Sequence, residues 1–302
     1  MKKVKWTKND MPDLTGKIAI VTGANTGLGF ETALGLAEKR ATVVLAVRSM
    51  ERGQKAIYKI LETVPGASVS LQKLDLGSLE SVRVAAEEIK SQFKQIDILI
   101  NNAGIFSGTG KTVDGFELRF GTNHLGHFAL TGLLLDTILA TPNSRIVTVA
   151  SVAHKRKKKL SFDDVITEPD KCFPAYGRSK LANLLFTYEL QRRLEGANTI
   201  AVAAHPGVAY SEIVRSFPKF IVWAARFVMQ PTAIGALPTL RAASDPDVSG
   251  GQYYGPRGRK ERRGYPIVVK SNAMSHDEDL QKKLWEMSEE FSGVSFPVDQ
   301  PT

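Results

Sequence analysis

The sequence contains a single cysteine, Cys172, among 302 residues. One cysteine excludes an internal disulfide and any metal site built from several cysteines. Long apolar runs are also lacking, because the longest candidate, residues 220–229, contains Arg226 and is far shorter than the ~18 apolar residues of a membrane-spanning helix. The lysine-rich N-terminal stretch has no apolar core of signal-peptide length. We therefore expect a soluble, cytoplasmic protein without a transmembrane segment.

The histidines and the basic residues do not form the motifs of metal or nucleic-acid binding. Since the five histidines form no cluster with acidic residues, we predict no metal site and interpret His124 and His127 as packing residues. The net charge of +9 suits anionic ligands. However, the basic runs 155–159 and 257–263 are not interleaved with aromatic residues, so we predict no nucleic-acid partner. The runs leave open a peripheral contact with a membrane surface or an acidic partner.

The stretch 17–48 predicts a strand, a glycine-rich turn, a helix and a second strand. A β-branched run over 18–21 ends at the glycines, apolar residues follow at helical spacing from Leu28, and a second β-branched run covers 42–47. Such glycines let the backbone approach a pyrophosphate, which the free N–H groups of the helix N-terminus can bind. The spacing Gly23-x-x-x-Gly27-x-Gly29 differs from the G-x-G-x-x-G of the usual fingerprint.

Strands and helices continue to alternate along the chain. We predict further helices over 50–63, 78–93, 113–139, 175–194 and 275–291, and further strands over 68–74, 96–100, 145–149 and 199–204. This alternation indicates a parallel sheet with helices on both faces. The prediction is an α/β fold, a single-domain Rossmann-like doubly wound parallel sheet over 1–302. Its dinucleotide-binding and catalytic core covers 14–255, and a C-terminal extension with a helix covers 256–302.

Polar and glycine-rich segments follow all six predicted strands. In open parallel sheets, ligands bind at the carboxyl ends of the strands, where these segments meet. We therefore predict a dinucleotide lying along this edge. The segments are Thr22-Gly23, Arg48, Asp75, Asn101-Asn102-Ala103-Gly104, Ser151 and His205-Pro206-Gly207.

Four motifs in order resemble the short-chain dehydrogenases/reductases over roughly residues 14–255. They are Thr22-Gly23-x-x-x-Gly27-x-Gly29, Asn101-Asn102-Ala103-Gly104, Tyr176-x-x-x-Lys180 and Pro206-Gly207. Narrower stretches, among them 114–117, 123–128 and 205–208, resemble the retinol dehydrogenase branch and its relatives, the WW-domain oxidoreductases and the light-dependent protochlorophyllide reductases. The resemblance implies an NAD(P)-dependent oxidoreductase that acts on the CH–OH group of an alcohol.

The predicted catalytic residues are Asn123, Ser151, Tyr176 and Lys180. Hydride transfer to a carbonyl needs a proton donor at the oxygen, for which Tyr176 is the candidate. Lys180 lies one helical turn later, and we expect its charge, joined by an oxidised nicotinamide, to lower the pKa of Tyr176 from ~10. Ser151 can donate to the substrate oxygen, although it stands in an Ala-Ser pair where the family has Ser-Ser. The resemblance implies that Asn123 anchors a water molecule and, through it, a proton relay to Lys180.

Arg48, at the end of the second strand, bears on the choice of cofactor. An acidic residue there favours NAD, whereas a guanidinium suits the 2′-phosphate of NADP. We predict NADP (NADPH), with NAD or a merely solvated Arg48 as the alternative. The resemblance assigns Asp75 to the adenine, residues 102–104 to its ribose, and Val208 and Ser211 to the nicotinamide carboxamide. The predicted cofactor residues are Gly23, Asn25, Thr26, Gly27, Leu28, Gly29, Arg48, Asp75, Leu76, Asn102, Ala103, Gly104, Tyr176, Lys180, Pro206, Gly207, Val208 and Ser211.

An apolar and aromatic segment over 208–230 follows the predicted cofactor loop. In the family this segment covers the substrate, so we expect a lipophilic aldehyde or ketone and its alcohol, contacted by Ser151, Tyr210, Ile213 and Phe217. A core helix pair or a contact within a homo-oligomer is the alternative. Two other functions stay open: reduction of a ring C=C bond, as in the protochlorophyllide reductases, and an NADPH-binding scaffold without catalysis.

Overall fold

The structure, a computed structural model, describes residues 5–156, 172–208 and 229–298. One eight-stranded sheet has helices on both faces. Its strands are β1 (Ile18–Thr22), β2 (Thr42–Val47), β3 (Val69–Lys73), β4 (Ile98–Asn101), β5 (Arg145–Val149), β6 (Ile200–Ala204), β7 (Tyr253–Pro256) and β8 (Pro266–Val268). The main helices are α1 (Gly27–Ala37), α2 (Met50–Thr63), α3 (Leu79–Gln92), α4 (Gly126–Leu139), α5 (Cys172–Arg193), α6 (Leu237–Ser244) and α7 (Glu278–Ser292).

The strand order is β3-β2-β1-β4-β5-β6-β7-β8. Strands β1 to β7 are parallel, and β8 pairs with β7 in the antiparallel direction. The order reverses between β1 and β4, and the crevice at the carboxyl ends of such strands is where doubly wound sheets bind ligands. The predicted Rossmann-like fold class is confirmed.

Two hydrophobic clusters cover the two faces of the sheet. Successive strand residues point to opposite faces, so that Ala19 and Val21 pack with α1, α2 and α6 while Ile20 packs with α3, α4, α5 and α7. Because both faces are covered, β1 and β2 are buried from their second residue onward. This burial explains why these strands are continuous apolar runs in the sequence.

The largest error in the predicted elements is the helix over 113–139. Residues 111–117 instead form a turn, with a bridge between Lys111 and Glu117 and a φ of +90° at Gly115. The helix begins at Leu118, where the Glu117 side chain caps it by accepting hydrogen bonds from two N–H groups. A wider π-helical turn over Gly121–Leu125 precedes α4, and such turns occur frequently at functional sites.

The sheet also continues beyond the six predicted strands. Strands β7 and β8 have only four and three residues. Because they are short and contain glycine and proline, their sequences show no strand pattern. The predicted last helix begins at Glu278 rather than at 275, because residues Ala273–His276 form a 3-10 turn and Asp277 caps α7. Within the described ranges, no helix is long and apolar enough to span a bilayer.

Candidate active site

The glycine-rich turn between β1 and α1 forms one end of a cavity. Gly23 and Gly27 have φ values of +66° and +58°, a left-handed conformation that side chains rarely allow. A Cβ atom added to Gly29 would lie 2.4 Å from the carbonyl oxygen of Gly23. The turn therefore excludes side chains at these positions and brings bare backbone to the cavity.

The cavity has a volume of about 750 Å³ and follows the carboxyl ends of the strands on both sides of the β1–β4 switch point. Among the predicted residues, Tyr210, Ser211, Ile213 and Phe217 lie outside the described residues. The predicted cofactor residues that line it are Gly23, Asn25, Thr26, Gly27, Leu28, Gly29, Arg48, Asp75, Leu76, Asn102, Ala103, Gly104, Tyr176, Lys180, Pro206, Gly207 and Val208, and Ser151 lines it as well.

The end of the cavity beside β2 carries two guanidinium groups. Arg48 is exposed directly after β2, and Arg52 lies in the first turn of α2. Ser49 caps this helix, since its hydroxyl accepts a hydrogen bond from the Arg52 N–H at 3.4 Å. Asp75 also lines the cavity, and one of its carboxylate oxygens accepts from the N–H of Gly77 at 3.0 Å. This end can therefore bind an anion through the two guanidinium groups and the N-terminus of α2.

The hydroxyl group of Thr22 holds the segment that follows β4. Its oxygen accepts hydrogen bonds from the N–H groups of Asn102 and Ala103, both at 2.9 Å, and lies 2.9 Å from Nε2 of His127. Nδ1 of His127 lies 2.9 Å from the carbonyl oxygen of Asn123 and donates to it, which leaves Nε2 to accept from the hydroxyl. Burial lowers the pKa of His127 to about 3. His127 is thus a neutral, buried residue that supports Thr22 through a hydrogen bond.

Tyr176 and Lys180 lie one helical turn apart on α5, and both are buried. The Lys180 ammonium lies 5.8 Å from the centre of the Tyr176 ring and donates to the carbonyl oxygen of Val149 at 2.8 Å. Burial raises the pKa of Tyr176 to about 12, although a hydrogen bond with Ser151 opposes this effect, and burial lowers the pKa of Lys180 to about 8. In the protein alone the direction is therefore opposite to the predicted lowering of the Tyr176 pKa, because desolvation outweighs the Ser151 hydrogen bond, and the effect of an oxidised nicotinamide stays a prediction.

The amide of Asn123 is fully engaged by its neighbours. Its oxygen accepts from the N–H of Ile105 at 2.8 Å, and its nitrogen donates to the Ile105 carbonyl and to the Ser179 hydroxyl, both at 3.0 Å. A Cβ atom on Gly104 would lie 3.3 Å from both the Asn123 amide oxygen and the Lys180 ammonium. The Asn123 side chain therefore lies behind Gly104, which lines the cavity, and does not line the cavity itself.

Two aromatic residues that the sequence analysis missed line the cavity beside Tyr176. The Phe106 ring packs edge-on at 5.2 Å from Tyr176 and 4.9 Å from Phe173. Behind it, the Arg119 guanidinium donates to the Phe106 carbonyl at 2.7 Å and pairs with Glu117 at 2.7 Å, and both side chains are almost fully buried. Phe106 could have been predicted to line the cavity, because it lies only two residues after the Asn101–Gly104 segment.

Comparison with known proteins identifies the family. Residues 17–220 match the family model described as short chain dehydrogenase. The chain belongs to the short-chain dehydrogenase family. It is 39% identical to mouse retinol dehydrogenase 12 over 289 residues, which cover 94% of this chain and 88% of the relative. Its identity to human retinol dehydrogenase 11 is 37% over 294 residues, with coverage of 95% and 88%. The predicted resemblance to the retinol dehydrogenase branch is confirmed.

Solved structures agree with this assignment. A crystal structure of an uncharacterised protein from Mycobacterium paratuberculosis has a TM-score of 0.80 and 39% identity, covering 97% of this chain and all (100%) of that one. The RhlG/NADP active-site complex of Pseudomonas aeruginosa has a TM-score of 0.65 and 22% identity, with coverage of 80% and 94%, and shares the fold. As a short-chain dehydrogenase related to the retinol dehydrogenases, the chain is an NAD(P)-dependent oxidoreductase acting on CH–OH groups.

The cavity fits the nicotinamide dinucleotide that this family uses. The bare turn at Gly23, Gly27 and Gly29 leaves the space that side chains would fill. At a distance from the buried Tyr176–Lys180 pair, Arg48 and Arg52 supply positive charge in the same cavity. Each half of a dinucleotide therefore has suitable partners along one continuous surface.

Proposed function

We propose that this short-chain dehydrogenase uses NADP(H) to interconvert lipophilic aldehydes or ketones and their alcohols, with reduction as the main direction. The observation that carries the proposal is the meeting of Ser151 and Tyr176 at one end of the cavity, beside the aromatic pair Phe106 and Phe173. This arrangement offers two hydroxyl groups to a substrate oxygen and an apolar surface to the rest of the molecule.

The chain's residues would hold the cofactor in sections. The glycine turn would bind the pyrophosphate, and Arg48 with Arg52 the 2′-phosphate. The adenosine would lie against Asp75, Leu76 and residues 102–104, and the nicotinamide side against Tyr176, Lys180 and Pro206–Val208 with Ser211. When bound, NADPH supplies the hydride.

Tyr176 is the proposed general acid for reduction. With a pKa of about 12, its phenol keeps its proton at neutral pH and can give it to the substrate oxygen. The Ser151 hydroxyl would donate a second hydrogen bond to that oxygen and stabilise its developing charge. For the reverse reaction the same oxygen would have to act as the base, and the proposed preference for reduction rests on cellular NADP pools being mainly reduced.

Lys180 and Asn123 are proposed to support the acid. The pKa of Lys180, about 8, leaves its ammonium largely charged at neutral pH, so that it can bind the ribose hydroxyls on the nicotinamide side. The Asn123 amide fixes Ile105 and lies beside Lys180 across Gly104. The role of Asn123 as the anchor of a proton relay to Lys180 is proposed from the family resemblance and from this nearness, because its amide is already bonded to Ile105 and Ser179.

The cavity wall and the relatives support a lipophilic substrate. Phe106 and Phe173 line the cavity beside Tyr176, and Val152 and Met229 add apolar lining. Burial of apolar groups against them would hold a large hydrocarbon part. The names of the relatives, retinol dehydrogenases 11 and 12, specify a lipophilic alcohol. We propose the same substrate class for this chain, with Tyr210, Ile213 and Phe217 as further contacts.

The deciding experiment measures oxidation of NADPH, with NADH alongside, over small, long-chain, retinoid and steroid carbonyl compounds. Tyr176→Phe should lower kcat by about 10²–10⁴-fold, the usual contribution of a positioned acid. Tyr188→Phe is the matched control, because Tyr188 lies on the same helix and contacts Ser271 and His276 rather than the cavity. It should leave kcat unchanged.

Other outcomes would favour the alternatives. Unchanged turnover in Tyr176→Phe would contradict the assignment of the acid. Tight NADPH binding without turnover of any carbonyl would favour the scaffold function. Turnover confined to an added ring C=C substrate would favour the double-bond reductase.

A further inference from the structure

The loop over 257–264, between β7 and β8, packs against the segment that follows β6. The N–H of Val208 donates to the carbonyl oxygen of Arg262 at 2.7 Å. The Gln230 side chain bridges the same two segments, since its nitrogen donates to the Pro206 carbonyl at 2.6 Å and its oxygen accepts from the N–H of Gly264 at 2.9 Å. The loop thus contacts the backbone of Val208 directly and that of Pro206 through Gln230, and Pro206 and Val208 both line the cavity.

Glu261 is the acidic residue of this loop, and it turns inward. One carboxylate oxygen lies 2.7 Å from the Lys155 ammonium, and the other lies 3.2 Å from Nε2 of His205. The His205 ring is fully buried, and its Nδ1 accepts from the N–H of Gly207 at 3.2 Å. The ring proton of neutral His205 is therefore on Nε2, facing the carboxylate. A Cβ added to Gly255 would lie 2.0 Å from Nε2, so the glycine leaves the space that the ring occupies.

The backbone of the loop has an unfavourable conformation at Glu261 and at the residue before it. Lys260 and Glu261 have φ values of +56° and +54°, and neither is glycine. Two successive residues in the left-handed region persist only where their surroundings fix them. Around them, Arg257, Arg259 and Arg262 are exposed, whereas the Glu261 side chain is 22% exposed. Backbone hydrogen bonds within the loop, such as that from the Glu261 N–H to the Gly258 carbonyl at 2.7 Å, hold this conformation together with the contacts of Glu261 with Lys155 and His205.

The two partners of Glu261 lie in the segments that follow two neighbouring strands, β5 and β6. Lys155 lies four residues after Ser151, and its neighbour His154 contacts the Ser151 carbonyl through Nδ1 at 2.6 Å. His205 precedes the Pro206–Val208 wall and contacts the N–H of Gly207. A single carboxylate therefore links the wall that carries Ser151 to the wall on the nicotinamide side.

We propose that Glu261 is a positioning residue which, through His205 and the N–H of Gly207, sets the backbone of Pro206–Val208 for binding of the nicotinamide half of the dinucleotide. This inference rests on the proposed function for the assignment of that half to this wall. Glu261 itself does not line the cavity and acts only through His205.

The test compares two ligands that differ by the nicotinamide half. Dissociation constants of NADP and of 2′-phospho-ADP-ribose are measured by calorimetry, without any carbonyl substrate. Glu261→Gln should weaken NADP binding by about tenfold, equivalent to ~1.4 kcal/mol, and leave binding of the fragment unchanged. Glu290→Gln, the same change at an exposed residue of α7, is the matched control and should change neither constant. An equal loss for both ligands, or no loss for NADP, would overturn the proposal.

A double-mutant cycle tests the route through His205. His205→Asn keeps an acceptor near the Gly207 N–H and removes the group that faces Glu261, so it should weaken NADP binding as Glu261→Gln does. The double variant should bind no more weakly than the weaker single variant, because both changes break one link. Additive losses would overturn the route.

Two provisions keep the outcome interpretable. If Glu261→Gln does not fold, Lys155→Gln replaces it, because Lys155 is 39% exposed and its loss removes one of the two contacts. It should weaken NADP binding in the same direction by a smaller factor, and an unchanged constant would overturn the proposal. A wild-type protein that binds NADP but turns over no carbonyl would contradict the proposed function and leave the two-ligand comparison valid.

Discussion

At the scale of single residues, Arg48 bears most directly on cofactor choice. It is exposed at the end of β2, and the carboxylate that would favour NAD is lacking at that strand end. We expect Arg48→Asp to raise the KM for NADPH by about 10–100-fold, because a charged hydrogen bond contributes ~1.5–3 kcal/mol. The KM for NADH should stay constant or fall.

Steady-state kinetics with both cofactors checks this prediction. Lys59→Asp makes the same change of charge at an exposed position of α2 and serves as the control. Equal effects of Arg48→Asp on the two cofactors would mean that Arg48 does not contact the 2′-phosphate.

Much of the candidate site could be predicted from the residue types and short spacings in the sequence. Tyr176 and Lys180 could be paired from their helical spacing alone, and the structure places both in the cavity. The direction of the Tyr176 pKa could not be predicted, because it depends on burial by distant segments. Glu261 was likewise hidden, since its partners Lys155 and His205 are remote in sequence.

At the scale of elements, the turn between β1 and α1 limits which side chains the site can accept. In Gly29→Ala the new Cβ would meet the Gly23 carbonyl at 2.4 Å, so the backbone must shift. We expect a loss of about 1–3 kcal/mol in the free energy of unfolding, typical of overpacking, and weaker dinucleotide binding. Denaturant unfolding and calorimetry measure the two effects.

Gly35→Ala is the control on the same helix. Its new Cβ would meet the ends of the Leu240 and Lys8 side chains, at 2.8 Å and 3.3 Å, and flexible ends can move. It should leave binding unchanged. If both variants bind the dinucleotide like the wild type, the turn does not hold the pyrophosphate.

The loop after β4 supplies the aromatic wall, and Phe106 tests its role. Phe106→Ala should raise the KM for retinoid and other large carbonyl compounds by about 10–100-fold, since burial of such a side chain contributes ~1.5–3 kcal/mol. The KM for a small aldehyde should change little. Val268→Ala, at an exposed apolar position outside the cavity, is the control, and equal effects on large and small substrates would contradict the proposal.

The predictability of an element depended on its length and on local signals. The predicted bounds of β2, α2 and β5 agree with the structure, because strong apolar patterns and clear end signals define them. Strands β7 and β8 form only because β6 offers an edge, which no local pattern reveals. The turn before Leu118 depends on the Lys111–Glu117 bridge and was missed for the same reason.

At the scale of the whole molecule, buried histidines make stability depend on pH. Burial lowers the pKa of His124 and His127 from 6.5 to about 3. Below pH 6.5 the unfolded chain binds protons that the folded protein excludes, so the free energy of unfolding falls by about 1.4 kcal/mol per pH unit for each histidine until about pH 3. His154, with a pKa lowered to about 4 by burial, acts in the same direction.

Urea unfolding at pH 7.5 and pH 5 measures this effect. His124 contacts Phe120, Phe128 and Phe186, so His124→Phe fits an aromatic surrounding and should reduce the dependence on pH. The neighbouring His205 and Lys155 side chains lower the pKa of Glu261 to about 2, so Glu261 contributes stability above its ordinary pKa of 4.5 that is lost as pH falls towards 2. An unchanged pH dependence in the variant would show that His124 titrates normally.

The contacts of Glu261 with Lys155 and His205 also affect the order in which the site can form during synthesis of the chain. The glycine turn, Ser151, Tyr176 and His205 all leave the ribosome before Glu261, at about 5–20 residues per second. During that interval Pro206–Val208 lacks the hydrogen bond between the Val208 N–H and the Arg262 carbonyl, and His205 lacks its contact with Glu261. If Glu261 has the proposed positioning role, a nascent chain gains its affinity for the nicotinamide half of the dinucleotide only when the loop over 257–264 has folded onto this segment.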